Sequence, residues 1–196
     1  MGVILVDAGG TNIGSVRYAL QRLGVEAALT SDAETIRTAD KVILPGVGAA
    51  GPGMARLREL GLVDQIRSLT QPVLGVCLGM QLLCERSEEG DTTCLGVVPA
   101  IVRRFEDQPG RRVPHMGWNR VRPRREHPLL AGLGDDDWAY FVHSYAVPMG
   151  GYALASTDYG DEFASVIAQG NFHGMQFHPE RSAKVGARLL KNFLEL

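Results

Sequence analysis

The stretch PVLGVCLGMQ, residues 72–81, decides the fold class of this 196-residue chain. It begins with an apolar run typical of a strand that is covered on both faces, and it continues into a helical pattern. Cys77 lies at the centre of the predicted strand-to-helix turn, with Gly75 and Gly79 two positions away on either side. This pattern predicts a nucleophile elbow in an α/β protein.

The predicted elbow has consequences for its backbone and for the cysteine. A sharp strand-to-helix turn strains its central residue, and only residues without a Cβ leave room for the neighbouring backbone. At the N-terminus of the following helix, unpaired N–H groups and the helix dipole favour the thiolate of Cys77. The N–H of Leu78 becomes available to an oxyanion. Taken alone, the motif is also compatible with a buried structural cysteine.

The sequence before the elbow alternates short apolar strands with helices, as parallel strands joined by crossover helices do. The second half is strand-rich with little helix between the strands, which predicts antiparallel or mixed pairing. The predicted strands are residues 3–7, 25–30, 41–45, 72–76, 97–105, 119–123, 138–147, 152–157, 163–169 and 172–177. The predicted helices are residues 13–23, 54–69, 80–88 and 182–196, the last with Ser182 as N-cap. We therefore expect an α/β fold with a central, mixed and largely parallel sheet flanked by helices.

Composition narrows the class of protein further. A chain of this length with 45% hydrophobic residues is expected to form one domain, residues 1–196. Its 20 basic and 22 acidic residues give a net charge of -2, which does not favour binding to nucleic acid or to an anionic membrane. The sequence shows neither a membrane-spanning run nor a secretory signal, so we expect a cytoplasmic protein. Cys84, seven residues after Cys77 on the same predicted helix, is interpreted as a core residue two turns below the elbow, and Cys94 as a loop residue, neither of them catalytic. The histidines are not accompanied by other metal-ligand residues, so we expect no metal and no cofactor.

A second motif near the end of the chain supplies a base for the cysteine. In GMQFHPE, residues 174–180, His178 and Glu180 are two positions apart at the end of a predicted strand, where alternate residues share a side. Glu180 is then able to hold the imidazole of His178 while the other ring nitrogen exchanges a proton with Cys77. The pair alone is also compatible with a structural histidine. Combined with the elbow, it predicts a Cys-His-Glu triad.

A third motif, PGVG at residues 45–48, follows the strand-forming run KVIL, residues 41–44. In α/β proteins, ligands bind at the carboxyl ends of the strands, and a glycine loop on a neighbouring strand is where a second oxyanion donor belongs. We expect this donor to be the N–H of Val47. The alternative is a plain turn, because proline and glycine are common in loops.

Four motifs in this order, PGVG, GVCLGMQ, FVHSY and QFHPE, resemble class I glutamine amidotransferases. The resemblance implies a flavodoxin-like α/β fold. It also implies a reaction in which a cysteine attacks the side-chain amide of glutamine, releases ammonia and leaves a thioester that water hydrolyses. It assigns the triad roles to Cys77, His178 and Glu180. The contacts to glutamine that it implies are Gly46, Gln81, Glu89, Ser144 and Tyr145.

Within this class, the motifs DAGGTN, PHMGWNRV and HPERS are similar to those of the amidotransferase subunits of imidazole glycerol phosphate synthases. That resemblance runs along the whole chain and implies a role in histidine biosynthesis. It implies a heterodimer with a (β/α)8-barrel cyclase subunit that receives the ammonia and switches on the glutaminase. The candidate residues for the docking face are Asn12, Met116, Trp118, Asn119, Tyr140 and Arg181.

Three other functions remain open at the level of sequence. The first is the amidotransferase subunit of another biosynthetic synthase, against which HMGWN argues. The second is a γ-glutamyl hydrolase, against which Gln81 and the pair Ser144 and Tyr145 argue. The third is a cysteine sensor without catalytic activity, against which Glu180 argues, because a sensor needs no residue that orients a base.

Overall fold

The computed structural model of the chain describes residues 2–9 and 13–196. Six α-helices and fourteen strands are assigned within these ranges. The helices are α1 (Ile13–Arg22), α2 (Ala33–Thr38), α3 (Ala50–Glu59), α4 (Leu62–Arg67), α5 (Leu78–Leu82) and α6 (Ala183–Glu195). The strands of the first half are β1 (Val3–Val6), β2 (Ala27–Thr30), β3 (Lys41–Leu44), β4 (Val73–Val76), β5 (Cys84–Ser87), β6 (Thr92–Thr93) and β7 (Val98–Arg104). Those of the second half are β8 (His115–Arg120), β9 (Arg122–Pro123), β10 (Trp138–His143), β11 (Tyr145–Pro148), β12 (Ala153–Asp158), β13 (Glu162–Gln169) and β14 (Phe172–Met175).

Twelve strands form one central sheet, in which β2, β1, β3, β4, β14, β13, β11, β7, β5 and β6 follow one another, while β12 and β9 branch from β13. The strands from β2 to β14 pair in parallel. From β14 to β7 the pairing is antiparallel. Strand β14 therefore joins the parallel half of the sheet to the antiparallel half, which confirms the predicted mixed α/β sheet.

Helices cover both faces of this sheet. In β1, Ile4 and Val6 pack into one apolar cluster with α2, α3, α4 and α5. Val3 and Leu5, which point the other way, pack into a second cluster with α1 and α6. Because both faces are buried, the central strands are apolar at nearly every position, with Lys41 at the start of β3 as a charged exception.

Strands β8 and β10 form a separate antiparallel ribbon, in which His115 pairs with His143. The ribbon lies on the α6 side, since Ala139 and Phe141 belong to the same apolar cluster as that helix. The sequence predicts one strand over residues 138–147, but the structure breaks it at Ser144. At this residue the chain crosses from the ribbon into the central sheet.

Two predicted helices differ from the observed ones. The helix predicted over residues 54–69 is divided into α3 and α4, because Gly61 adopts a left-handed conformation with φ of 68°. The helix predicted over residues 80–88 ends at Leu82, and Cys84 begins strand β5, which pairs with β7. The interpretation of Cys84 as a residue two turns along the elbow helix is therefore wrong. Its burial in the apolar cluster agrees with a structural thiol.

Among the described residues, none of the helices is both long enough and apolar enough to span a lipid bilayer.

Candidate functional site

Cys77 occupies the turn between β4 and α5 in a conformation that few residues other than glycine adopt, with φ of 53° and ψ of -110°. Such a conformation costs on the order of 1–3 kcal/mol and persists only when the surrounding structure enforces it. The sequence motif predicts this strained turn. However, α5 has only five residues, so it contributes a weaker helix dipole to Cys77 than a helix over residues 80–88 would.

The two glycines of the motif are required for space. A Cβ on Gly79 would lie 1.8 Å from the carbonyl oxygen of Leu44 in β3, and one on Gly75 would lie 2.6 Å from the backbone of Gly79. A Cβ on Gly46 would in turn lie 2.7 Å from the backbone nitrogen of Gly79. The PGVG loop and the elbow are thus in direct backbone contact.

The central sheet brings His178 close to Cys77 although the two residues are far apart in sequence. Strand β14 is the parallel neighbour of β4, and Met175 pairs with Val76. Cys77 and His178 therefore follow adjacent strands at the same edge of the sheet. Both side chains are buried, with 7% of each residue exposed.

His178 contacts Glu180, but not through the local structure that the sequence predicts. The strand ends at Met175, and Pro179–Arg181 forms a 3₁₀ turn. This turn carries Glu180 back so that its Oε1 lies 2.9 Å from Nδ1 of His178. The predicted contact between His178 and Glu180 is therefore present. It arises from the 3₁₀ turn and not, as predicted, from the alternation of side chains along a strand.

The protonation of His178 is set by these neighbours. Burial acts to lower the pKa of His178, but hydrogen bonds with Cys77 and Glu180, and the charges of both groups, outweigh burial and raise it to about 10. The imidazolium form of His178 is therefore favoured at neutral pH.

The ribbon holds the backbone of His178 in place. The N–H of His178 donates to the carbonyl of Tyr140 at 2.9 Å. The hydroxyl of Ser182 donates to the carbonyl of His178 at 2.7 Å and accepts from the N–H of Tyr140 at 2.9 Å. Ser182 occupies the N-cap position of α6, as predicted, but its side chain makes no cap hydrogen bond. Its hydroxyl instead fixes the candidate base, a role that the sequence alone does not indicate.

A cleft of about 450 Å³ opens above Cys77 and His178. Most of the residues predicted to bind glutamine or an oxyanion line it. They are Val47, Leu78, Gln81, Glu89, Ser144 and Tyr145, with Arg181 beside them. Gly46 does not line this cleft, since it packs against the back of the elbow. A larger cavity of about 640 Å³, bounded by Pro123 and Leu133, contains none of the candidate catalytic side chains.

Glu89 contributes a carboxylate to this cleft. It lies in a short 3₁₀ turn, Glu89–Asp91, and its Oε2 accepts a hydrogen bond of 2.7 Å from the N–H of Ala50, the first residue of α3. This bond ties the turn to the helix that follows the PGVG loop. The carboxylate is therefore held at a fixed position in the wall of the cleft.

Gln176 lies within the QFHPE motif, but the sequence motifs predict no role for it at the site. It is fully buried, and its Nε2 lies 3.9 Å from Sγ of Cys77. Its Oε1 accepts from Nε2 of Gln81 at 3.0 Å, and the same nitrogen donates to the carbonyl of Tyr145 at 2.8 Å. The signal for Gln176 in the sequence is weak, because a glutamine in an apolar strand pattern has no distinctive spacing.

The candidate docking residues lie on more than one face. Met116 and Trp118 are 63% and 50% exposed on one face of β8. The ring of Trp118 contacts Tyr140, and the guanidinium of Arg181 lies over the ring of Tyr140. Asn119 is only partly exposed and turns inward, where its amide contacts His115. Asn12 lies outside the described residues.

Comparison with known proteins identifies the family. The family model of class-I glutamine amidotransferases matches residues 4–196. The chain belongs to this family. Among the relatives of this class-I glutamine amidotransferase is the imidazole glycerol phosphate synthase subunit HisH of Xylella fastidiosa, 57% identical over 99% of this chain and 97% of that protein. The protein of the same name from Xanthomonas axonopodis pv. citri is 56% identical over the same shares of the two chains.

Solved structures agree with the family assignment. A crystal structure described as a glutamine amidotransferase superposes on this amidotransferase with a TM-score of 0.77, at 25% identity over 100% of this chain and 98% of that one. PurLQS from Thermotoga maritima superposes with a TM-score of 0.75, at 16% identity over 98% and 97% of the two chains. The second likeness shows a shared fold only.

Proposed function

We propose that this amidotransferase is the glutaminase subunit of an imidazole glycerol phosphate synthase and acts in histidine biosynthesis. The observation that carries the proposal is the cleft in which Cys77, His178 and Glu180 come together within a class-I glutamine amidotransferase fold. The relatives at 56% and 57% identity, which carry the name of that synthase subunit, supply the biosynthetic context.

In the proposed reaction the thiolate of Cys77 attacks the side-chain amide carbon of glutamine. The carbonyl oxygen becomes an oxyanion, for which the N–H groups of Val47 and Leu78 are the proposed donors. The imidazolium of His178 then gives its proton to the amide nitrogen, and ammonia leaves as the C–N bond breaks. A γ-glutamyl thioester remains on Cys77. His178, now neutral, takes a proton from water as the water attacks the thioester, which yields glutamate and regenerates the thiolate.

Glu180 has a supporting role in this scheme. Its contact with Nδ1 of His178 leaves the other ring nitrogen for Cys77 and the amide nitrogen, and its negative charge stabilises the imidazolium. Gly46, Gln81, Glu89, Ser144 and Tyr145 are the proposed contacts for glutamine. The carboxylate of Glu89 is suited to the α-amino group, since the two charges are opposite.

The proposed partner is a (β/α)8-barrel cyclase subunit, which uses the ammonia. The exposed face of the ribbon, formed by Met116, Trp118 and Tyr140 with Arg181 beside it, is the proposed docking surface, together with Asn12. Large apolar side chains exposed on one strand face are typical of protein interfaces. Within this proposal the chain, residues 1–196, is one domain and works in the cytoplasm without a cofactor of its own.

Glutamate release by the purified chain tests the proposal. Glutamine is supplied to the chain alone, to the chain with the cyclase subunit, and to the pair with the nucleotide ligand of the cyclase. We expect release that depends on both the cyclase and its ligand. The Cys77→Ala variant is expected to lose activity by on the order of 10⁴-fold or more, since the nucleophile is removed.

The Cys94→Ala variant is the matched control, because it removes a buried thiol whose pKa burial raises to about 11. It is expected to keep its activity. Full activity in Cys77→Ala would overturn the glutaminase mechanism. Glutamate release that does not depend on the cyclase subunit would be consistent with the glutaminase mechanism but would overturn the assignment to this synthase.

A further inference from the structure

Two buried histidines outside the proposed triad are joined by a direct hydrogen bond. His115 in β8 and His143 in β10 are paired across the ribbon, and Nδ1 of His115 lies 3.1 Å from Nε2 of His143. The residues are 2% and 7% exposed. His143 lines the cleft, while the ring of His115 lies between the rings of Tyr159 and Phe141.

The partners of the pair fix its protons. Nδ1 of His143 lies 2.7 Å from the carbonyl oxygen of Tyr145, which only accepts, so this nitrogen carries a proton. Burial lowers the pKa of His143 to about 3, so the ring is neutral and its Nε2 is an acceptor. Nδ1 of His115 must then donate to His143.

The contact of His115 with Asn119, at the other end of this chain of hydrogen bonds, also indicates that His115 donates to His143. Nδ2 of Asn119 donates to the carbonyl oxygen of Asp158 at 2.8 Å, while Oδ1 accepts from the N–H of Arg120, so the orientation of the amide is fixed. The same Nδ2 lies 3.2 Å from Nε2 of His115, which is therefore an acceptor. Burial lowers the pKa of His115 to about 4, which keeps this ring neutral as well.

The carbonyl at the end of this chain is held from a second side. The oxygen of Tyr145 accepts from His143 and also from Nε2 of Gln81, which belongs to the elbow helix α5. A carbonyl oxygen has two lone pairs, and both are used here. The crossover at Ser144, where the chain leaves the ribbon for the central sheet, is thus tied to the ribbon and to the elbow.

We propose that His143, kept in one tautomer by His115, is a positioning residue that fixes the Tyr145 carbonyl, and with it Ser144, in the wall of the cleft. The inference rests on the proposed glutaminase function, because glutamine is the molecule that this wall receives. His143 exchanges no proton during the reaction. Its task is to donate one hydrogen bond in a fixed direction.

Two substitutions at position 143 separate positioning from packing. His143→Leu keeps apolar bulk against Phe105 and Phe163 but loses the donor to Tyr145. His143→Asn keeps an N–H near the position of Nδ1 but loses the ring and its aromatic contacts. We expect kcat/KM for glutamine to fall about tenfold or more in the leucine variant, mainly through KM, and to recover at least in part in the asparagine variant.

Thermal unfolding of the same variants is expected to rank them in the opposite order, with the asparagine variant the less stable. A purely structural role would rank activity and stability in the same order, and that result would overturn the proposal. His127→Asn is the control, because His127 lies outside the cleft.

The role of His115 is tested by His115→Phe, which keeps a ring between Tyr159 and Phe141 but removes both nitrogens. We expect a fall in kcat/KM smaller than that of His143→Leu. The double variant is expected to be no worse than His143→Leu alone, because both changes act on one chain of hydrogen bonds. Fully additive losses would show that the two histidines act independently.

Nuclear magnetic resonance of the ring nitrogens tests the arrangement without any reaction. We expect both His115 and His143 to be neutral at pH 7 with the proton on Nδ1. A proton on Nε2 of His143 would overturn the proposal even if the glutaminase is active. Conversely, the expected tautomers in a chain that lacks glutaminase activity would point to a failure of the proposed function, not of the hydrogen-bond chain.

Discussion

At the scale of the residue, the site depends on pairs of groups that change each other's chemistry. Cys77 is held in a conformation with positive φ, and His178 is held between Cys77 and Glu180. The conformation of Cys77 follows from its local sequence, whereas the state of His178 also depends on residues distant in sequence. The elbow fixes the cysteine, while the 3₁₀ turn after β14 and the hydroxyl of Ser182 fix the histidine.

The protonation state of His178 follows from this arrangement. Its pKa in the fold, about 10, lies above the value of about 6.5 for an unfolded chain. Protonation of His178 therefore stabilises the fold fully below pH 6.5, and this contribution is lost as the pH rises to about 10. We expect the ring to stay protonated from pH 7 to 9 in ring-nitrogen spectra of the histidines.

The Cys77→Ala variant is the matched comparison, because the hydrogen bond with Cys77 is the largest of the causes that raise this pKa. We expect the ring of His178 to lose its proton at a clearly lower pH in that variant. His127 serves as an internal reference, since burial lowers its pKa in both proteins. A wild-type ring that deprotonates between pH 6 and 7 would contradict the raised pKa of His178.

At the scale of the element, the elbow is a contact between backbones. The turn after β4, the PGVG loop after β3 and the first turn of α5 approach so closely that Gly46, Gly75 and Gly79 leave no room for a methyl group. This contact places Val47 and Leu78 on the same cleft. The position of the candidate oxyanion donors is therefore a consequence of how β3 and β4 pair.

The Gly79→Ala substitution tests this contact. Its Cβ would lie 1.8 Å from the carbonyl oxygen of Leu44, and backbone on both sides would have to move. We expect the free energy of unfolding to fall by about 3 kcal/mol or more, at the upper end for single substitutions. Chemical denaturation measures this change.

Gly134→Ala is the control, since nothing lies within 4 Å of its Cβ. It is expected to change the free energy of unfolding by less than about 0.5 kcal/mol. Equal effects of the two substitutions would show that the elbow relaxes easily and that its glycine is not required for space.

The elements that can be predicted from the sequence are those whose residue patterns are local. The apolar strands, the elbow and the amphipathic helix α6 follow from spacing and burial. The division of the predicted helix at Gly61 and the early end of α5 cannot be predicted in this way. For α5, the reason is that Leu83 and Cys84 fit a helical pattern as well as a strand pattern. Pairing of β5 with β7 decides between them, and pairing is a property of the fold.

The same limit applies to the site. Cys77, His178 and Glu180 are predictable as a group, and the structure brings them together, while their catalytic roles stay predictions. Gln176, Ser182 and the pair of His115 and His143 are not predictable as parts of the site. They act through hydrogen bonds between segments that only the sheet and the ribbon bring together.

At the scale of the whole molecule, buried histidines make the free energy of unfolding depend on pH in the acidic range. Burial lowers the pKa of His115 and His173 to about 4 and that of His143 to about 3. The unfolded chain binds these protons near pH 6.5, whereas the folded chain binds them only near pH 3–4. The stability that they contribute is therefore present above pH 6.5 and is lost as the pH falls toward 4.

We expect urea midpoints to fall steadily from pH 6.5 to 4, with a contribution of up to about 1.4 kcal/mol for each histidine and pH unit. In His173→Leu the slope is expected to be smaller, because one of the three groups is removed. A slope that is the same in this variant and in the wild type would contradict the neutral state of His173 in the fold.

The place of β14 in the sheet has a consequence for biosynthesis. This strand is made long after β4, yet it completes the middle of the sheet and not its rim. While the ribosome is still producing residues 97–170, the apolar β4 has one side open, and such an edge invites pairing with other nascent chains. A polypeptide interrupted before Phe172 would keep that edge and would also lack His178, so Cys77 meets its proposed base only when the sheet closes.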